Sequence, residues 1–202
     1  EGDYATALDL LEKVLARDKV NPMLVKYAEQ DLAIAYWKMG QLKKGIEVME
    51  KMIEKYEYFT PDFYTTLGYF YIEASDYEKA QEYTDKALEL SEAHGPAFDN
   101  LGQIAFRQGQ YEEAEKYFSR ALDMKDTMVD SKYHLGLIYE HWGNLEAAAE
   151  YFAAAHQSTI TGMNTITREQ VDAKEGPSST GSLDTENIET DDDPDDIETE
   201  ER

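Results

Sequence analysis

The chain has 202 residues, a formal net charge of −24 and no cysteine. Its apolar content of 42% is enough for a folded core in one or two domains. The lack of cysteine excludes disulfides and thiolate metal sites, and the acidity makes nucleic acid and anionic lipid headgroups poor partners. No apolar run has the length of a membrane span, so we expect no direct membrane insertion of this segment.

The negative charge is spread along the chain. Residues 163–202 hold 14 acidic and three basic residues, which leaves a net charge of −13 on residues 1–162. A surface of this kind favours basic or neutral protein partners. It also favours solubility, and that alternative explanation of the acidity stays open.

Hydrophobic periodicity predicts nine long helices. Residues 3–17 form the first, which stands alone, and Gly40 ends the second with a positive φ. Thr60 and Pro61 are predicted as a helix cap and a first-turn residue. The four predicted helical pairs are 23–39 with 42–56, 62–74 with 77–91, 96–108 with 111–124, and 129–142 with 145–157.

A fixed sequence register, with a period of about one helical hairpin, relates these pairs. Residues 95–128 carry Gly102 on the first helix and Ala114 on the second, and a side chain larger than a methyl group there would hold the two axes apart. The equivalent residues are Gly136 and Ala148 in the next pair, and Gly68 and Ala80 in the preceding one. A single hairpin buries too little surface to be stable alone, so the pattern predicts a stacked array.

Both ends of the array depart from this pattern. Residues 1–20 match only the second helix of a unit, so we expect the natural chain to begin upstream of residue 1. Residues 163–176 contain one short predicted helix at about 165–174, and whether it caps the array stays open. Residues 177–202 are acidic and lack aromatic residues, which predicts a disordered tail that buries too little to offset its ordering entropy.

The register resembles the tetratricopeptide repeat, a helix–turn–helix unit of about 34 residues. Four units fall within residues 21–162, and the first of them matches least well. The resemblance implies an all-α fold, a right-handed α-solenoid of stacked helix–turn–helix repeats whose first helices line a concave groove. Gly45 stands where the family has alanine, and methionines follow it, so we expect less specified packing in the first unit. The unit boundaries are about 26–60, 61–94, 95–128 and 129–162.

The family register also implies which side chains face the groove. The candidate peptide-binding residues are Tyr27, Ile34, Trp37, Lys38, Tyr69, Ile72, Asn100, Gln103, Phe106, Arg107, Tyr133, His134, Leu137 and His141. The polar residues expected on the same face are Asp31, Asp62, Thr65, Thr66, Glu73, Asp99, Asp130 and Glu140. Aromatic rings offer a large contact area at low entropic cost, which favours an extended apolar or basic peptide as the ligand. The alternative role for each ring is packing between repeats.

The charges of this face restrict which kind of peptide can bind to it. Some members of the family bind chaperones by holding an acidic peptide terminus with lysine, asparagine and arginine. Here two bases, Lys38 and Arg107, face six acids, and this balance would repel such a terminus. We therefore expect a protein or peptide partner of basic or apolar character. The resemblance implies a non-enzymatic scaffold that mediates protein–protein interaction by binding a peptide or protein segment in its concave groove.

No arrangement of residues predicts catalysis, a cofactor or a metal site. His134 and His141 lie two helical turns apart, roughly 10 Å, which is too far for one zinc ion to bridge. The acidic run at 191–196 lacks the glycine turn and closing glutamate of a calcium loop. The alternative function is a structural, self-assembling or targeting segment of a larger protein, whether membrane-anchored or enzymatic. We expect a cytoplasmic location and leave the oligomeric state open.

Overall fold

The structure, a computed structural model, describes residues 3–161 and 164–174. The predicted acidic tail at 177–202 lies outside these residues. Within the described part every regular element is an α-helix, which confirms the all-α fold class. None of the helices described is long and apolar enough to cross a membrane.

The helices of the described part agree with the predicted ranges to within three residues at either end. They are α1 (Tyr4–Leu15), α2 (Pro22–Lys38), α3 (Leu42–Lys55), α4 (Pro61–Glu73), α5 (Tyr77–Leu90), α6 (Gly95–Arg107), α7 (Tyr111–Met124), α8 (Val129–His141), α9 (Leu145–His156) and α10 (Arg168–Asp172).

The helices pack as a stack of hairpins. α2 packs on α3, α4 on α5, α6 on α7, and α8 on α9, and each second helix also contacts the first helix of the following pair. The first helices α4, α6 and α8 contact one another directly from layer to layer, so they form the concave side of the array. This arrangement confirms the predicted α-solenoid, in which each unit is stabilised by its neighbours.

Caps and turns set the helix ends where the sequence predicts them. The Thr60 hydroxyl oxygen accepts the N–H of Phe63 at 3.3 Å, and Pro61 occupies the first position of α4. Gly40 follows α2 with a φ of 73°, as predicted. Because these signals are local in the chain, they can be identified without knowing the tertiary structure.

Glycines allow the two helices of a unit to approach closely. The space beside each glycine is too small even for a methyl group, which the sequence alone would have allowed. A Cβ atom on Gly102 would lie 2.7 Å from Cδ1 of Phe118, and one on Gly136 would lie 2.5 Å from Cε1 of Phe152. The glycines therefore face the phenylalanines of the second helices. Even a methyl group would force a buried, closely packed ring to move.

The first full unit uses a glycine in a different way. A Cβ atom on Gly45 would lie 2.7 Å from the carbonyl oxygen of Ala33, so this glycine lets α3 approach the backbone of α2 itself. Met49 and Met52 of α3 are fully buried in the same core cluster as Phe63 of the next unit. The irregular volume left between the units is thus filled by flexible side chains.

Beyond α9 the chain returns to the array. Val171 on α10 is fully buried, and it shares a core cluster with Ile166, Tyr133 and Phe152. The Thr167 side chain and the residue three positions later form a capping box that starts the helix. Residues 164–174 therefore cover the apolar end of the last unit.

Candidate functional site

An open cavity of about 860 Å³ lies on the concave side of the array. Its walls come from the first helices α2, α4, α6 and α8, from the turn before α8, and from the segment that follows α9. The walls combine aromatic rings with hydroxyl, amide and carboxyl groups. A cavity of this size and mixture can take several side chains of an extended chain.

Some of the predicted peptide-binding residues line this cavity: Ile34, Trp37, Tyr69, Asn100 and Gln103. The polar residues expected on the same face that also line it are Asp62, Thr65, Thr66, Asp99 and Asp130. The array brings them together because equivalent positions of adjacent units lie side by side. Tyr69 and Gln103, for example, occupy the same register position on the contacting helices α4 and α6.

Other predicted residues pack between helices: Ile72, Phe106, Tyr133, His134 and Leu137. Ile72 is fully buried in the core that surrounds α4. Tyr133 packs against Phe152, with ring centroids 5.6 Å apart, and His134 stacks on Phe118 at 5.0 Å. These side chains fill the spaces between repeats and do not line the cavity.

The remaining predicted residues lie outside the cavity wall: Tyr27, Lys38, Arg107 and His141. The Lys38 ammonium donates to the carbonyl oxygen of Asn164 at 3.0 Å, and Arg107 forms an ion pair with Glu73. His141 packs against Tyr111, with ring centroids 4.4 Å apart, and Tyr27 is 58% exposed on α2. The two bases of the groove face are thus both engaged within the chain.

Asp99 and Gln103 form part of the buried floor of the cavity. Nε2 of Gln103 donates to Oδ2 of Asp99 at 2.7 Å, and the Ser131 hydroxyl donates to Oδ1. Burial, and to a smaller extent the negative charge of Asp130, raises the pKa of the Asp99 carboxyl to about 7. The charge of this floor can therefore change close to neutral pH.

The cavity wall is acidic overall. Its charged residues are Asp62, Asp99, Asp126, Asp130, Lys125 and Lys132. Four carboxyl groups therefore face two ammonium groups, and one of these, Lys132, donates to the Ser158 hydroxyl at 3.0 Å. This balance favours a cationic ligand over an anionic one.

The segment after α9 supplies a wall that the sequence does not predict. Its lining residues are Gln157, Ser158, Thr159, Thr161, Asn164 and Thr165. Asp130 of α8 anchors this segment, because its Oδ1 accepts the N–H groups of Thr165 at 2.8 Å and Ile166 at 3.1 Å. No apolar periodicity marks these residues, and the one available signal is a run of hydroxyl and amide side chains.

No group of three potential metal-ligating side chains occurs among residues 3–161 and 164–174. Nδ1 of His134 lies 2.8 Å from the carbonyl oxygen of Asp130, and burial lowers the pKa of its imidazole. His134 therefore acts as a neutral packing group in this environment.

Several solved structures share the architecture. MamA from Desulfovibrio magneticus RS-1 matches with a TM-score of 0.57 and 18% identity, over 76% of this chain and 84% of that chain. The APC/C hetero-tetramer Cut9–Hcn1 contains a chain that matches with a TM-score of 0.64 and 18% identity, over 76% of this chain and 30% of that one. YrrB, described as a TPR protein with an unusual peptide-binding site, matches with a TM-score of 0.50 and 22% identity, over 76% of each chain. At such identities the similarity establishes the fold.

Sequence comparison identifies the repeat itself. No curated protein sequence matches the chain at a significant level. Two tetratricopeptide repeat models match, one at residues 59–127 and the other at 100–159, and together they cover half of the chain. Members of this family are generally non-enzymatic scaffolds for protein interaction. With its stacked hairpins and the glycines that let them nest, the chain belongs to the tetratricopeptide repeat family.

Proposed function

We propose that the chain is an interaction scaffold that binds an extended peptide segment of basic and apolar character in its concave cavity. The observation that carries the proposal is the cavity itself, which is walled by four successive first helices and by the segment after α9. The similarity to YrrB, whose description names a peptide-binding site, supports the proposal at the level of the fold.

The aromatic part of the wall suits apolar side chains. Trp37 meets Tyr69 edge to face, with ring centroids 5.2 Å apart, and Ile34 lines the cavity beside them. Trp37 and Ile34 are only partly buried, so part of their apolar surface is open to the cavity. Rings and branched side chains held in this way lose little entropy when a ligand covers them.

The polar part of the wall is held in place by its own hydrogen bonds. Nδ2 of Asn100 donates to the carbonyl oxygen of Thr65 at 2.8 Å, and the Thr66 hydroxyl donates to the carbonyl oxygen of Asp62 at 2.8 Å. These bonds link the side chains to the helix backbones. The wall is therefore preorganised, which reduces the entropic cost of binding.

The test uses charge reversal at the mouth of the cavity. The probe is a fluorescein-labelled pool of dodecapeptides built at random from lysine, leucine, alanine and serine, and binding is followed by fluorescence anisotropy. Asp62 and Asp126 are exposed and line the cavity. We expect the double variant Asp62→Lys/Asp126→Lys to bind the pool about fivefold more weakly or worse, because attraction becomes repulsion.

A matched control separates this site from general attraction to an acidic protein. Glu89 on α5 and Asp123 on α7 are exposed on second helices and do not line the cavity. The variant Glu89→Lys/Asp123→Lys has the same net charge as the test variant and should bind nearly as the parent does. Equal losses in the two variants, or equal binding of a pool with glutamate in place of lysine, would contradict the proposal.

A further inference from the structure

Two polar atoms in the cavity wall have no hydrogen-bond partner. They are Oε1 of Gln103 and the hydroxyl oxygen of Tyr69, and both atoms are shielded from solvent. Gln103 is 2% exposed and Tyr69 is 8% exposed, yet both side chains line the cavity. Buried polar atoms in folded proteins are almost always paired, so unpaired atoms on two side chains that line one cavity indicate a missing partner group.

The geometry of the floor determines what that ligand group must be. Asp99 lies one turn before Gln103 on α6 and accepts a hydrogen bond from the side-chain nitrogen of Gln103. The side-chain oxygen of Gln103 is therefore the atom without a partner. An amide oxygen can only accept a hydrogen bond. The Tyr69 hydroxyl oxygen can also accept a hydrogen bond, and its O–H can donate to Glu73, one turn further on, which also pairs with Arg107. The group that completes this floor is therefore a hydrogen-bond donor.

We propose that Asp99, Gln103 and Tyr69 form a subsite for an alkylammonium group, carried by a lysine side chain of the bound peptide. This inference rests on the proposed function and specifies one contact within it. An ammonium has three N–H donors, which match the Gln103 oxygen, the Tyr69 oxygen and the Asp99 carboxylate. The charge of that carboxylate makes the hydrogen bonds to the ammonium stronger than neutral ones.

The neighbouring wall suits the stem of a lysine. Ile34 and Trp37 line the same cavity and are partly exposed, and they would cover the four methylene groups that carry the ammonium. A lysine would thus place its apolar stem and its charged end against matching parts of one cavity.

The other charged groups of the wall leave this subsite negative. Asp62 faces it from α4, Asp126 from the turn before α8, and Asp130 from α8. The bases are Lys125 and Lys132 of the wall and Lys38, whose Nζ lies 3.8 Å from the ring centroid of Trp37 and donates to the carbonyl oxygen of Asn164. Lys132 is bound to Ser158, and the donors of residues 164–166 bind Asp130. Asp99 is the carboxyl group at the floor that contacts Gln103 directly.

The subsite should depend on pH. The carboxyl of Asp99 has a pKa raised to about 7, so it is mostly ionised at pH 8 and mostly protonated at pH 6. A protonated carboxyl lacks the charge that holds an ammonium. We therefore expect affinity for a cation to fall as the pH falls through 7, with a limiting slope of about tenfold per pH unit.

The test titrates the full chain with a fragment of the lysine side chain. The probes are n-butylammonium and butan-1-ol, which differ in charge and donors, and the readout is the side-chain amide signals of ¹⁵N-labelled Gln103. We expect saturable shifts with n-butylammonium that weaken between pH 8 and pH 6, and no comparable shifts with butan-1-ol. The ammonium remains charged at both pH values, so the change reports on the protein.

Three variants locate the site. Asp99→Asn removes the charge with little change of shape, and we expect it to weaken n-butylammonium binding about tenfold and to abolish the pH dependence. Tyr69→Phe removes one oxygen and should weaken binding about threefold. Glu89→Gln removes an exposed carboxylate from α5, outside the cavity wall, and should leave affinity within about twofold. Circular dichroism melts establish that each variant folds.

The outcomes distinguish this inference from the proposed function. Unchanged affinity in both Asp99→Asn and Tyr69→Phe, or equal binding of butan-1-ol, overturns the subsite even if basic peptides bind in the cavity. Conversely, n-butylammonium binding that depends on Asp99, without binding of the dodecapeptide pool, supports a site for a free amine and overturns the assignment to a peptide lysine. Loss of pool binding after acetylation of its lysines supports that assignment.

Discussion

Ser75 occupies the position that glycine holds in the other units. Gly40, Gly109 and Gly143 follow their first helices with φ values of 73°, 76° and 76°, and Ser75 has a φ of 60° at the same place. Each of these residues lets the chain leave one helix and enter the next. A Cβ atom is disfavoured in this left-handed region, at a cost of the order of 1 kcal/mol.

We therefore predict that Ser75→Gly raises the free energy of unfolding by about 1 kcal/mol. The side chain of Ser75 is exposed, so its removal costs little. The reciprocal variant Gly109→Ser should lower the free energy of unfolding by a similar amount. Urea unfolding followed by circular dichroism measures both. A less stable Ser75→Gly variant would show that the serine makes a stabilising contact.

At the scale of the element, α10 shows how a short helix is stabilised by packing. It has five residues, too few to be stable alone, and it exists because Val171 is buried against the last unit. Lys174 pairs with Glu140 of α8, and Arg168 donates to the carbonyl oxygens of His156 and Ser158. The helix therefore depends on α8 and α9 for its position.

Shortening the anchor of this helix should destabilise the chain. We predict that Val171→Ala lowers stability by about 2 kcal/mol, or roughly 4–8 °C of Tm, because two buried methyl groups are lost. Glu169 is exposed on the same helix, so Glu169→Ala is the control and should leave Tm within about 1 °C. Thermal unfolding followed by circular dichroism gives both values. Equal Tm values for the two variants would mean that α10 contributes nothing to stability.

At the scale of the whole molecule, the array curves until its ends approach each other. Lys38 of the first full unit reaches Asn164, which lies 126 residues away in sequence and beyond the last unit. This contact helps to enclose the concave cavity on the side of the segment after α9. Burial is nevertheless uneven along the array, because α1 has no buried residue whereas α4, α6 and α8 are extensively buried.

Uneven burial predicts uneven local stability. In a repeat array each unit depends on its neighbours, so an end helix with one neighbour opens most easily. We predict that amide hydrogens of α1 exchange fastest among the described long helices and that those of α4, α6 and α8 exchange slowest. Hydrogen exchange with mass spectrometry measures this order. Equal protection along the array would show that the chain unfolds as one cooperative unit.

The sequence was sufficient for what depends on local chemistry. Apolar spacing, Gly40 and the Thr60–Pro61 pair predicted the helices, and the repeat register predicted their stacking. The same register could not separate a ring that lines a cavity from one that fills the space between units. Tyr69 and Tyr133 both lie on first helices, yet Tyr69 lines the cavity and Tyr133 packs against Phe152.

By itself, then, the sequence determined the helices, their pairing and the family, because periodicity and close helix approach act between near neighbours in the chain. Only the tertiary structure decided which groove-facing positions remain open, since that depends on the curvature of the whole array. It also decided that the segment after α9 forms a wall of the cavity. That segment is held by Asp130, whose hydrogen bonds reach past the whole of α9 and leave no periodic trace in the sequence.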